Sequence, residues 1–497
     1  VGVRGRRFWQ GWAFRTCVLV ALPVVLLWPW RHIGVVSDDI YVVRTPFSLD
    51  PVRLLRGDDW THAPLAGTRA WRPVTVATFA LTHAIAGPSA PVYRLTNFAL
   101  HGLVCALVAC VTWRLTASRA AAWAAGVLFA LHPVHHENVL WIAGRTHVVS
   151  ALLSLAALSL VLTPRRASSR SRAAAVGVAS AGALLAYEPA VILPVLIVAV
   201  LLVAGDGTVG QRLVAAWRQS RPVWAATAAV LVLRWLLLVA PASDVHAFLS
   251  PRAVINGAGA VGRWLALPRG PAGPLLLAPV VVLSALASGG LLWVGCRRPE
   301  TRRALLAGGA LAAVALVPFL PLPGYSDRFN YLPSAGFVIA LAAAFGVTER
   351  GRRAAAIGLA IILSVVWVRT LLVTATQWET AGRIATALRA QLQEAADLRG
   401  ARRVTFFCVP DFYGTATLYL TYFEQDVRDA LAGAAPEIAR RRDGVQVSAE
   451  QVLADAPAGD LAYRWNSAAW RLERLDALAP EVRQAPVCIP AAPVARP

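Results

Sequence analysis

With 497 residues, 57% of them hydrophobic and only 15% charged, the chain has more apolar surface than a soluble fold can hide. A polytopic α-helical membrane protein is the expected class. The net charge is +21 and every basic residue is an arginine. These arginines punctuate apolar runs rather than covering one water-facing surface, so nucleic acid is not an expected partner.

The first apolar run, Cys17 to Trp28, follows Arg4, Arg6, Arg7 and Arg15. No small-x-small cleavage site appears before Ser37, so the run reads as an uncleaved anchor. Eleven spans are expected, near 16–30, 93–113, 121–134, 147–163, 173–187, 189–204, 223–240, 274–296, 304–322, 333–347 and 355–372. With the N-terminus on the inner side of the cytoplasmic membrane, arginine is roughly threefold denser in the inner loops than in the outer ones, as the positive-inside rule requires. The acids run the other way: Asp38, Asp39, Asp50, Asp58, Asp59, Glu137, Asp244 and Asp327 all fall outside. Two outer segments, Pro73 to Gly87 and Arg252 to Leu267, mix apolar and polar residues at helical spacing and read as interfacial helices.

Residues 1–372 thus form a membrane module and residues 373–497 a near-neutral tail. The tail begins with a polar helix pattern (Gln377 to Leu398). A strand-like RVTFFCVP and a DFYG turn follow, so a small extracytoplasmic α/β domain is expected, with a Pro/Ala-rich end after Pro480. Four cysteines lie in or beside apolar runs. Cys408 and Cys488 are the two in the tail; they either pair or remain one buried and one loose thiol.

Polar residues gather at four outer places: Asp38–Asp39, Trp71-Arg72-Pro73, HPVHHENVLWIAGR (His132 to Arg145) and SDRFNYLPSAGF (Ser326 to Phe337). Glu188 and Arg234 add charges at membrane depth, where charge is costly and usually faces a partner or a wet cavity. A transporter or flippase would place such groups near the midplane of paired repeats. No such repeat is visible. A non-catalytic scaffold presenting the tail is the other alternative.

The ordered set SDDIYVV, WRPVTVATFALTHAIAG, VYRLTNFALH, LFALHPVHHENVLWIAGR and SDRFNYLPSAGF resembles the membrane module of the transmembrane and tetratricopeptide-repeat O-mannosyltransferases and their bacterial relatives. These belong to the GT-C class of integral-membrane glycosyltransferases. The resemblance covers roughly Asp38 to Phe337. It implies inverting transfer of a sugar, mannose being the family's best-known one, from a polyprenyl-phosphate donor to a hydroxyl of a protein or glycan acceptor on the outer face. It makes Asp38 the base, with Asp39 a supporting carboxylate or substitute. Arg72, Arg145, Arg234 and Arg328 become candidates for the donor phosphate, because a planar guanidinium pairs with phosphate oxygens. His135 and Glu137 match a His-Pro-x-His-x-Glu pattern. With Glu188 and Tyr331 they would shape loops or orient the acceptor, and His135 and Glu137 are also the candidates for a divalent ion.

Two positions depart from the family pattern. Relatives usually carry an acid where this chain has His147, and a basic residue where it has Tyr187, before Glu188. No 34-residue repeat follows in the tail.

Overall fold

Helix boundaries in the computed structural model follow ordinary start and stop chemistry. Proline opens the helices Pro73–Ala86 and Pro299–Leu316, where its missing N–H has no intrahelical partner to lose. Ser118 caps Arg119–Leu131 by accepting the Ala121 N–H. The structure describes residues 2–57, 70–163, 170–237, 251–266, 274–322, 326–347, 349–419, 423–431, 436–441 and 447–488. Asp58, Asp59, Asp244 and Leu267, named above, lie outside them.

Among the described residues, seven helices are long and apolar enough to cross a membrane, and the chain is an integral membrane protein. The expected count of eleven is not confirmed. The spans read near 121–134 and 189–204 become the helices Arg119–Leu131 and Leu193–Ala204, of 13 and 12 residues. At about 1.5 Å per residue these reach roughly 20 Å, short of the ~30 Å hydrocarbon core. The apolar run near 355–372 is part of one continuous helix, Arg350–Glu394, of 45 residues.

The chain divides into two compact units. The first holds the helical bundle up to Ala375. Lipid offers no hydrophobic drive between helices, so close packing of small residues takes that role. A Cβ added to Gly336 would lie 2.4 Å from the Gly308 carbonyl oxygen and from the Ala312 nitrogen. The helices Pro299–Leu316 and Tyr331–Ala342 therefore touch backbone to backbone. The helix Pro251–Trp264, expected as interfacial, has an inverted pattern. Val254 and Ile255 are exposed while Asn256 is buried, its amide donating to the carbonyls of Leu320 and Leu322 at 2.8 and 3.0 Å.

The second unit contains residues from Thr376 onward together with His32–Arg44, a segment that the sequence reading assigned to the membrane module. Its sheet runs β4 (Glu437–Arg441), β1 (Arg403–Phe407), β5 (Asp460–Asn466), β6 (Arg471–Arg474). The first three are parallel and β6 is antiparallel to β5. Phe407, Ala449, Ala462, Leu475 and Val487 form a core, beside which Cys408 and Cys488 join in a disulfide.

The early segment is held in this unit by specific contacts. The Ser37 N–H donates to the Leu418 carbonyl at 2.8 Å. A Cβ on Gly34 would meet the Gly382 carbonyl at 2.6 Å. Arg44 pairs with Asp426 at 3.1 Å and Asp429 at 2.6 Å. Asp426 is buried, and it also takes Arg389 and the Tyr419 hydroxyl. Burial pushes its carboxyl up, against the pull of Arg389.

Candidate functional site

In the second unit the two neighbouring aspartates have different surroundings. Ser37 adopts a left-handed conformation, φ +48°, which turns the chain into the short helix Asp39–Arg44. Asp39, at its first turn, is fully buried, whereas Asp38 is half-buried, with the Ser37 hydroxyl 3.3 Å from its Oδ1. Asp38 is thus the carboxylate of the pair with solvent access.

In the first unit the four candidate arginines separate into distinct environments. Arg145 is fully buried. Its Nε donates to Asn97 Oδ1 at 2.7 Å, and its terminal nitrogens donate to Thr82 Oγ1 at 2.9 Å, the Thr78 carbonyl at 3.1 Å and the Tyr93 carbonyl at 2.9 Å. The guanidinium also lies over the Phe79 ring at 4.7 Å. It ties the start of the helix Arg145–Val161 to the helices Pro73–Ala86 and Ala90–Thr116, and that commitment takes it out of the phosphate-binding set. Arg234 is half-buried, 6.0 Å from the Trp71 ring.

Arg72 and Arg328 are each oriented by a glutamate. Glu188 accepts from Arg72 Nε and from the Trp71 N–H, both at 2.9 Å. Glu137 accepts the Arg328 N–H at 2.7 Å and the Ser326 hydroxyl at 2.6 Å, with the Arg328 guanidinium 3.8 Å away. Arg72 lies over Tyr187 at 4.9 Å, and Arg328 over Phe329 at 5.1 Å. Phe319 stacks on both of those rings.

His147 lies in the same cluster. Its imidazole is 4.4 Å from the Tyr187 ring and 6.3 Å from Phe329, and the charges of Arg72 and Arg328 both act on it. The side chain is nine-tenths buried, and neither ring nitrogen makes a well-formed hydrogen bond among the described residues, the Gly144 carbonyl acting on the ring only weakly. Buried polar atoms nearly always have one. Desolvation pushes the neighbouring Tyr187 phenol up to about 12, despite the two arginines. In the sequence His147 and Tyr187 are two separate departures from a pattern. The structure shows that the two departures touch.

His135 and Tyr331 belong to a tight polar core rather than to this cluster. His135 Nε2 and Ser334 Oγ are hydrogen-bonded at 2.9 Å, and the Tyr331 hydroxyl and His101 Nδ1 at 2.6 Å. Glu137 is taken by Ser326 and Arg328, as above. Among the described residues no three His, Cys, Asp or Glu side chains come together as a metal site requires, so no chemical step is derived through an ion.

The fold has a counterpart of known structure. ArnT from Cupriavidus metallidurans, solved bound to undecaprenyl phosphate, superposes over 93% of this chain and 97% of its own, with a TM-score of 0.52 at 13% identity. The architecture is therefore GT-C-like. No family model matches the chain. Sequence likeness is local and points to a narrower group. The protein O-mannosyl-transferase Tmtc1 of Drosophila melanogaster is 35% identical over 144 residues, which is 28% of this chain and 17% of that protein. TMTC3 of Mus musculus is 29% identical over 146 residues, 28% of this chain and 16% of that protein. The match thus spans about one sixth of the length of these relatives.

Proposed function

We propose that the protein transfers a sugar, with mannose the first candidate, from a polyprenyl-phosphate carrier to a hydroxyl acceptor on the extracytoplasmic face of the membrane. The observation that carries this reading is His147: a buried imidazole whose two nitrogens make no well-formed hydrogen bond among the described residues, in the company of Arg72 and Arg328. A desolvated N–H donor beside two cations suits an oxyanion of a phosphate leaving group. The O-mannosyl-transferase relatives and the undecaprenyl-phosphate-bound ArnT support the same substrate class. The arginine asymmetry of the loops supports the orientation.

In this mechanism Asp38 takes the acceptor proton as the hydroxyl oxygen attacks the anomeric carbon. The carbon–phosphate oxygen bond breaks on the opposite face, and the configuration inverts. The leaving phosphate needs charge stabilisation rather than a proton, and Arg72, Arg328 and His147 supply it. Asp39 supports the turn that presents Asp38.

The test uses the purified full chain with a panel of polyprenyl-phosphate sugars and reads release of polyprenyl phosphate. Turnover with one donor is expected, falling about 10²- to 10⁴-fold in Asp38→Asn. No turnover with any donor, or an Asp38→Asn variant as active as the parent, overturns the reading.

A further inference from the structure

A groove of about 440 Å3 opens between the helices Leu193–Ala204, Val209–Leu237 and Pro299–Leu316. This is within the range of small-molecule sites. It involves none of the candidate site residues above and is lined by the arginine-bearing first turns of Val209–Leu237 and Pro299–Leu316. Its walls combine two chemistries. Leu202, Leu213 and Leu306 supply aliphatic surface, and Arg212, Arg302 and Arg303 supply positive charge; no acid lines it. Leu213 and Leu306 are 48% and 47% exposed, so the aliphatic wall continues outward along the helix surfaces.

The three arginines are unevenly satisfied. Arg303 pairs with Asp206. Arg212 donates one terminal N–H to the Leu202 carbonyl at 2.9 Å, while its Nε is closed to solvent and has no partner among the described residues. Arg302 has no acidic partner among them. The groove therefore holds a net positive charge and at least one buried, unused donor, against a hydrocarbon wall. A free inorganic anion would use the charge and leave the aliphatic wall wet. An amphiphile with a phosphodiester and acyl chains uses both.

We infer that this groove is a binding site for the headgroup and upper acyl chains of an anionic phospholipid. Arg302 and Arg212 hold the phosphate, and Leu213 and Leu306 pack along the glycerol and chains. This ligand is a resident of the surrounding membrane, distinct from the sugar donor.

The experiment is thermal unfolding of the detergent-purified full chain with added phosphatidylglycerol, phosphatidylcholine or inorganic phosphate. The comparison variant is Arg302→Gln/Arg303→Gln, whose changes fall on exposed side chains. Phosphatidylglycerol should raise the Tm of the parent by several degrees, with phosphatidylcholine and phosphate doing little. The double variant should unfold at the parent's Tm without lipid and require at least about tenfold more phosphatidylglycerol for the same shift. Native mass spectrometry should retain phosphatidylglycerol on the parent and lose it on the variant. Equal shifts from phosphatidylcholine, or an unchanged response in the double variant, overturn the proposal. A full shift from inorganic phosphate alone overturns the lipid assignment. If the double variant fails to fold, Leu213→Glu, which charges the aliphatic wall, must weaken the shift; an undiminished shift overturns the site.

Discussion

Arg145 and His147 stand two residues apart at the start of one helix, and both are buried. Arg145 spends its guanidinium on four acceptors from two neighbouring helices, whereas both nitrogens of His147 lack a well-formed hydrogen bond among the described residues. Burial alone does not separate a structural polar group from one poised for a ligand. Satisfaction does, because an unmet buried donor costs about 1–3 kcal/mol, and something must offset that cost.

The largest break in that comparison comes from Arg145→Met. It leaves buried acceptors unmet, and a loss of about 3 kcal/mol or more is expected, read as low yield of folded protein or a sharply lowered unfolding midpoint. A variant as stable as the parent would remove the structural assignment of Arg145. His147→Phe sharpens the contrast. It keeps the ring and loses no well-formed protein hydrogen bond, so stability should stay within about 1 kcal/mol, while KM for the lipid donor should rise about tenfold or more. A stability loss equal to that of Arg145→Met, with donor KM unchanged, would place His147 with the structural residues.

The smallest effect concerns pH. His132 accepts the Val134 N–H on Nδ1 and contacts the Trp264 carbonyl through Nε2, an arrangement that needs a neutral ring. Burial lowers its pKa to about 3, and burial also holds His135 well below the usual histidine range. The unfolded chain binds these protons more readily than the folded one. Stability is therefore fully present above about pH 6.5 and falls as pH drops towards 3, by up to about 1.4 kcal/mol per pH unit for each histidine. Unfolding midpoints measured between pH 7 and 4.5 should decline. His132→Asn should flatten the slope, and an equally steep slope in that variant would exclude His132 as a source.

What could be read from the sequence was local. Apolar runs, the helix Pro251–Trp264 and the sheet strand inside RVTFFCVP all reflect neighbouring residues. The Cys408–Cys488 bond spans 80 residues, and from the sequence pairing and two separate thiols stand as alternatives. The number of spans was less legible, because hydropathy does not reveal where a 13-residue helix ends. What remained illegible was non-local. Nothing in SDDIYVV indicates that Ser37 bonds to the Leu418 carbonyl, or that Asp39 is sealed while Asp38 is not. His147 and Tyr187 stand 40 positions apart in the sequence and read as unrelated. Only the structure brings the two rings into contact, 4.4 Å apart.

The lodging of His32–Arg44 against residues near 382, 418 and 426 has a consequence for biosynthesis. Arg44 waits for Asp429, 385 residues later. At ~5–20 residues per second a ribosome takes roughly 20 to 80 seconds to cover that distance. The acidic turn therefore takes its final seat only after the segment around residue 429 has been made. A nascent chain that stops short of Asp429 would lack the Arg44 contacts that finish the turn after Asp38.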